Sequence, residues 1–471
     1  MRFLFFLLYI SSCSCLLAQA DTAIKQPFVD TSAKITPYIT IGSIAIKGNI
    51  RTKPYIILRE MVLHQGDIIS TNELTKKLEQ SRNQVINTAL FVDVAVYAAE
   101  KVGNQITINV DVKERWYFFP LPYFRLVDRN FNQWLVDQKA SLERVNYGIK
   151  FTQNNLTGQN DELNIWLITG YSQQINLRYS IPFFDKKRKS GFSVGFGHST
   201  QKELNYTTSL NKQLFLKDNF FVRKVTRADV SYTYRPDQYW RHSIQAAYLV
   251  ESISDTVVKV NPNYYPEKRN EAKYLNLSYG VSYVKSDYNA YPTKGILAGA
   301  YISKRGFDDV TGLWQIGGRA LYAFPLTKTA FVHLSGAATV KLSNDQNFYY
   351  NQRLFGYGDF QMQGLEYYVV DGTAGLLGKA TIHQQILKYV FKNPFKSKTH
   401  DLIPFRFFLK AFGNVGYAYN KYPGNSLLNN RAIYTGGIGL DIVSIYDFVF
   451  KIEFSFNQLG GQGLYLRTGL D

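Results

Sequence analysis

From Phe448 to Asn457 a bulky apolar residue recurs at every second position. Phe448, Phe450, Ile452, Phe454 and Phe456 fall on one face of an extended strand, with Lys451, Glu453, Ser455 and Asn457 on the other. Leu275, Leu277, Tyr279, Val281 and Tyr283 stand in the same way against Asn276, Ser278, Gly280 and Ser282. From Trp116 onward the helical period is absent, and segments of about ten residues alternate in polarity between Gly-, Asn- and Asp-rich turns. A soluble sandwich alternates too. Here, however, aromatic residues dominate the apolar face, charge and glycine occupy the other, and the pattern persists for roughly 330 residues. That is the pattern of a barrel, apolar outside and polar within. The 35 tyrosines and 33 phenylalanines of the 471-residue chain supply the outer face.

The N-terminus reads as a targeting segment. Arg2 is a minimal positive region, Phe3 to Leu17 is apolar, and Ala18-Gln19-Ala20 is a small-x-small cleavage site. Residues 1–20 are therefore expected to be removed, leaving 21–38 as a polar linker. Both cysteines, Cys13 and Cys15, lie in the leader, so the mature chain offers neither disulfides nor thiol chemistry. The formal charge of +18 falls by one with Arg2. In an exported barrel such a charge points to lipopolysaccharide and acidic headgroups rather than to nucleic acid.

Residues 39–115 form a different kind of segment. The pattern predicts a strand (41–47), helices over 54–63 and 71–90, and strands at 92–97 and 106–113, a β-α-α-β-β module. Gly48-Asn49 marks a turn, Pro54 a helix start, Gly66-Asp67 the break between helices, and Ser70 with Glu73 a capping-box spacing. Leu74, Leu78, Val85 and Ala89 have the spacing of one buried helix face.

Residues 116–471 then divide into sixteen segments, the first beginning near Arg144, the fifth near Glu203 and the last near Gln462, an even number as bacterial barrels have. With the module in the periplasm, the long connection 343–372 is expected outside, and so is the basic run Lys186-Lys187-Arg188-Lys189.

Gly48-Asn49, Leu58-Arg59, Gly66 and the passage Asn87 to Val94, with Leu90-Phe91 before Val92-Asp93-Val94, resemble a POTRA domain. Gly356 to Glu366, then Gly372 to Ile382, resemble the sixth extracellular loop and twelfth strand of Omp85 barrels. These are the BamA/TamA-like proteins, also called bacterial surface antigens; Lys113 to Asn132 is similar to a Bacteroidetes-type version. The resemblance implies a mostly β fold of about sixteen transmembrane strands behind one α+β POTRA domain, placed in the outer membrane of a Gram-negative cell. It implies no cofactor, no metal and no enzymatic activity. The implied role is assembly, insertion or translocation of unfolded outer-membrane or secreted clients, with periplasmic chaperones or outer-membrane lipoproteins as possible partners. A passive pore or structural barrel subunit is the alternative.

The same resemblance names the site residues. The family's V-R-G-F/Y loop motif is Met362-Gln363-Gly364-Leu365 here, so its arginine is Gln363. The acidic wall partner on strand thirteen is Asn414, and an acidic position on strand twelve is Thr381. Loss of both charges reads as a coordinated neutralisation, with Gln363 entering the lumen beside Asn414 and making a neutral bond to the wall. The final strand, with Leu464, Leu466 and Gly469, alternates weakly and implies a lateral seam with the first. The terminal Asp471 departs from the usual aromatic end.

Hydrolase chemistry has one motif to stand on. Gly191-Phe192-Ser193-Val194-Gly195 matches G-x-S-x-G, but Phe192, Val194 and Phe196 place it within an alternating strand, whereas a nucleophile elbow needs a strand-to-helix turn. His198, His242, His333 and His383 could line the lumen, and none has ligand spacing for a metal. The leader generates the first prediction: N-terminal sequencing of membrane-fractionated protein reads from Asp21, and recovery of the protein in the soluble periplasm would overturn the assignment.

Overall fold

The computed structural model describes residues 38–126, 139, 141–185, 187–307, 312–343, 348–358, 360–392 and 402–469. The leader, Asp21, Lys186 and Asp471 lie outside the described residues.

The N-terminal module runs β1 (Tyr38–Lys47), α1 (Pro54–Glu60), β2 (Ile68–Ser70), α2 (Thr71–Ile86), β3 (Phe91–Val102) and β4 (Gln105–Glu114). Its sheet has the order β2-β1-β4-β3, with β1 parallel to β4. Ile41, Ile56, Ile57, Met61, Val85, Leu90, Phe91 and Ile108 fill the core. Gly48 is required at its turn: φ is 88°, and a Cβ there would meet the Val112 carbonyl oxygen at 1.9 Å. Asn49 closes the same turn through Nδ2 to the Thr52 carbonyl at 3.0 Å, and Gly66 also adopts positive φ.

Several local expectations change. The helices end earlier, at Glu60 and Ile86, and Ala89 lies beyond α2, exposed and left-handed, so it adds nothing to the helix face. Ser70 belongs to β2, paired with Tyr38, and its hydroxyl makes no capping bond, so the Ser70–Glu73 spacing does not become a capping box.

The barrel wall is one antiparallel sheet of sixteen strands. In chain order they are β5 (Phe118–Leu126), β6 (Val145–Asn154), β7 (Glu162–Gly170), β8 (Gln173–Ile181), β9 (Ser190–Gln201), β12 (Arg223–Tyr234), β13 (Trp240–Ile253), β14 (Glu271–Ser286), β15 (Gly295–Arg305), β16 (Leu313–Pro325), β17 (Ala330–Ser343), β20 (Ala374–Lys392), β21 (Leu402–Tyr419), β22 (Ala432–Val443), β23 (Val449–Asn457) and β24 (Gln462–Thr468). The separate hairpin β10 (Glu203–Ser209) and β11 (Lys212–Lys217) stands outside the wall. The alternation resolves as read: Phe448, Phe454 and Phe456 are exposed outward, while Lys451, Glu453, Ser455 and Asn457 are buried inside.

Sixteen is the right number for a reason the sequence hid. β5 is an additional first strand whose prolines, Pro120 and Pro122, interrupt the polarity pattern; an edge strand tolerates them because one side needs no donors. The segment at Glu203 alternates but forms the β10–β11 hairpin, because any half-exposed hairpin alternates too. The two differences cancel in the count and invert orientation between them. The turn carrying Lys187, Arg188 and Lys189 therefore lies on the module side, not outside: the Arg59 Nε donates to the Arg188 carbonyl at 2.5 Å, and the Arg188 guanidinium sits 4.2 Å over Tyr55.

The module is bolted to the near rim of the barrel. Glu60, 3% exposed, accepts two bonds from Arg235 at 3.0 Å each and one from Arg59 at 2.8 Å. Asn155 Nδ2 donates to Thr52 Oγ1 at 2.9 Å, and Asn87 Nδ2 to the Ser286 carbonyl at 3.3 Å. Arg115 forks onto Asp447 at 2.7 and 3.2 Å, and Tyr288 donates to the same carboxylate at 2.6 Å. Burial opposes the charged form of Asp447, but the bonds and charge of Arg115 and the Tyr288 hydroxyl hold it below the ordinary aspartate range.

A depressed pKa contributes stability that is complete above the ordinary aspartate value and lost as pH falls through the lowered native one. Asp447→Asn is predicted to loosen the joint at neutral pH by roughly 1.5–3 kcal/mol, the value of charge-assisted bonds. In the parent chain the same loosening appears only in strong acid. Limited proteolysis beside Arg115 across a pH series checks both.

Candidate functional site: a loop docked beside the seam

The connection from β17 to β20 turns back into the barrel. It carries α4 (Tyr349–Gln352), β18 (Arg353–Phe355) and β19 (Val370–Asp371). Leu354, Phe355, Phe360, Met362, Leu365 and Val370 are buried together against Leu377, Ala418 and Ile433 of the wall. This apolar packing fixes the loop. The loop motif follows from close backbone approach: Gly364 has φ of 92°, and a Cβ on it would come 2.9 Å from the Phe456 carbonyl oxygen and 3.0 Å from Thr435 Cβ. Asn457 Nδ2 donates to the Gly364 carbonyl at 2.6 Å.

Gln363 is 1% exposed and points into the lumen. Asn414 Nδ2 reaches the Gln363 backbone carbonyl at 3.5 Å and Thr435 Oγ1 at 2.9 Å. The Gln363 side chain goes elsewhere: its Nε2 donates to Glu453 Oε1 at 3.3 Å, on β23. The neutral contact expected with the strand-twelve or strand-thirteen wall is thus only a backbone contact, and the side chain meets a charge. Thr381 faces the lumen next to Phe412 and His333, one inward rung beyond Lys379, the residue paired with Asn414. Among the described residues no hydrogen bond joins Thr381 to the loop.

Glu453 belongs to a buried ionic cluster. Lys410 Nζ on β21 lies 2.6 Å from Glu453 and 2.7 Å from Asp441, all three with fully buried side chains. Tyr291, from the turn before β15, donates to Asp441 at 2.9 Å, and His383 Nδ1 lies 3.6 Å from the same carboxylate. On the seam side, Arg467 of β24 pairs with Glu366 of the loop, and its Nε lies 3.2 Å from Glu453. Glu366 also accepts the Gly364 N–H at 3.0 Å. One network therefore joins the loop, strands β20 to β23 and the last strand. Alternation had placed Glu453 on the inner face; its partners required the register between strands.

Leu464 and Leu466 face outward, 67% and 65% exposed, and Gly469 ends the strand with φ of 88°. Among the described residues no backbone ladder joins β24 to β5. Of the other candidates, His333 and His383 face inward with ring centroids 4.6 Å apart. His198 and His242 do not line the lumen; they share the outward parity of Phe196 and Ile244 and bond Thr226 and Tyr279. Ser193 sits in mid-β9, its Oγ 2.5 Å from Ser231 Oγ, in extended strand rather than at an elbow.

Glu453→Gln is predicted to destabilise the barrel by roughly 1.5–3 kcal/mol, the value of charge-assisted bonds, because Lys410 keeps Asp441 and Arg467 keeps Glu366 as partners. Gln363→Ala, which removes a bond to a charged group, should cost roughly 1.5–3 kcal/mol. The pair should be non-additive in a double-mutant cycle read from heat-modifiable electrophoretic migration; additive losses would separate Gln363 from Glu453.

Comparison with known proteins bears on both parts of the chain. An Omp85 superfamily domain matches residues 155–467, and a POTRA domain, described as a surface antigen variable number repeat, matches 39–115. A stretch of 75 residues is 35% identical to the outer membrane protein assembly factor BamA of Neorickettsia risticii (strain Illinois), covering 16% of this chain and 10% of that protein. The crystal structure of BamA from Haemophilus ducreyi lacking POTRA domains 1–3 has the same fold, with TM-score 0.51 and 15% identity over 92% of this chain and 84% of that one. CdiB from Escherichia coli gives TM-score 0.48 at 10% identity, over 95% and 93%. The chain belongs to the Omp85 superfamily, as an outer-membrane β-barrel protein with a periplasmic POTRA domain.

Proposed function

We propose that this protein inserts unfolded client proteins into the outer membrane, or passes them across it, through the seam between β5 and β24. The observation that carries this reading is that, among the described residues, no ladder closes the edges of β5 and β24, while Glu366 and Arg467 pair beside them from inside. An unpaired strand edge is a template for an incoming strand. A luminal cavity of about 670 Å³ reaches Arg467 and Thr468, and its wall includes the inward-facing Gly299, Ser335 and Ala337 together with Arg319 and Lys379. At the other end of the path, β3 is the long outer strand of the POTRA sheet, with Tyr97 exposed on it, and offers sequence-tolerant main-chain bonding to an extended client. Chaperones or lipoproteins would approach from the same side. A passive pore is the weaker reading, because the docked loop packs inside the barrel against Leu377, Ala418 and Ile433.

Insertion of a denatured barrel client into liposomes should run faster with the reconstituted chain than without it. A photo-crosslinking residue at Tyr97 should capture that client. Glu366→Gln, which frees β24 from the loop, should change the insertion rate while leaving the barrel folded. A rate equal to that of protein-free liposomes would sink the reading.

A further inference from the structure

At the periplasmic mouth three arginines surround one carboxylate. Glu60 is saturated: Oε1 accepts from Arg59 at 2.8 Å and Arg235 at 3.0 Å, and Oε2 from Arg235 at 3.0 Å. Arg59 and Arg235 also flank the Phe183 ring, 3.9 and 5.5 Å from its centroid, which fixes their planes. Arg241 is the third. It lies on the inward parity of β13, paired in register with Ser282, and among the described residues it makes no hydrogen bond or ion pair.

Arg241 opens onto a cavity of about 200 Å³ whose wall also contains Glu60, Gln84, Asn160, Arg235 and Gln238. The three cations outnumber the single carboxylate, and the concave wall places them on one side of a shared space. The mutual strain is felt at Arg59, which burial lowers to about 10 in spite of Glu60, with Arg235 and Arg241 adding to the fall. Polar side chains line the cavity from three elements: Gln84 on α2, Asn160 in the turn after β6, and Arg241 on the wall. Such an arrangement suits a tetrahedral oxyanion, which accepts bonds on several sides, better than a planar carboxylate, for which one guanidinium fork suffices.

We propose that this cavity binds a phosphate group, either free phosphate or the phosphodiester of a lipid headgroup. The site is independent of the seam and does not rest on the transport reading. The test titrates the full chain in detergent with inorganic phosphate and, separately, with glycerophosphoglycerol, a water-soluble headgroup. Binding is followed by calorimetry and by phosphorus NMR line width, with acetate as the planar control. Saturable binding of at least one phosphate compound is expected, weakened at least tenfold by Arg241→Gln and by a smaller factor by Asn160→Ala. The compound bound more tightly identifies the source. Asn160→Ala leaves every arginine in place, so it tests the cavity even where Arg241→Gln lowers the yield of folded protein. The proposal falls if neither compound binds, if acetate binds as tightly as phosphate, or if the folded variants bind like the parent.

Discussion

A sheet immersed in hydrocarbon has no water to satisfy its backbone, so each strand needs a neighbour on both sides. In this barrel fifteen junctions are complete ladders and the sixteenth, between β24 and β5, has none among the described residues. Much else in the molecule is arranged around that junction. β5 carries two prolines that reduce its capacity to donate, β24 is only seven residues long, and Gly469 ends it with a left-handed turn. β24 has its ladder to β23 on one side only, and from the lumen a side-chain tether, Arg467 to Glu366 and Glu453, adds to that hold.

The tether works because Glu453 is itself held. Its carboxylate shares Lys410 with Asp441, and Asp441 is bonded by Tyr291 from a periplasmic turn. Burying these charges is expensive and yields little net stability, and each cation is shared between two carboxylates, Lys410 by Asp441 and Glu453 and Arg467 by Glu366 and Glu453. The cluster touches the loop where Gly364 lies between Thr435 and Phe456, and it touches the last strand through Arg467.

How much of this was legible in the sequence depends on the range of the signal. Period-two alternation is local, so the barrel, its polar interior and the inward-facing Glu453 could be read from neighbouring residues alone. The POTRA domain was legible for the same reason, from Gly48, Gly66 and the Leu90-Phe91 passage. Parity was not local: one proline-rich strand missed at Phe118 and one hairpin counted at Glu203 reversed the direction of four strands and misplaced Lys187 to Lys189. The partners of Gln363 were less accessible still. Substitution at 363 and 414 argued for a neutral pair, but Lys410, Asp441, Glu453 and Arg467 lie on four different strands, and only register brings them together.

That relocation of charge changes what the loop is coupled to. A loop arginine paired with the strand-thirteen wall would anchor the loop to a part of the barrel that need not move. Here the loop carboxylate, Glu366, is paired with the strand at the seam, and its neighbour Gln363 bonds Glu453, the residue that the same Arg467 approaches from the other side. Movement of Arg467 with β24 breaks its pair with Glu366 of the loop, and withdrawal of the loop leaves β24 with only its β23 ladder and Glu453. Coupling of this kind is reciprocal. On the proposed function, a client that favoured the undocked loop would favour an open seam by the same free energy, and an incoming strand that displaced β24 would loosen the loop in turn.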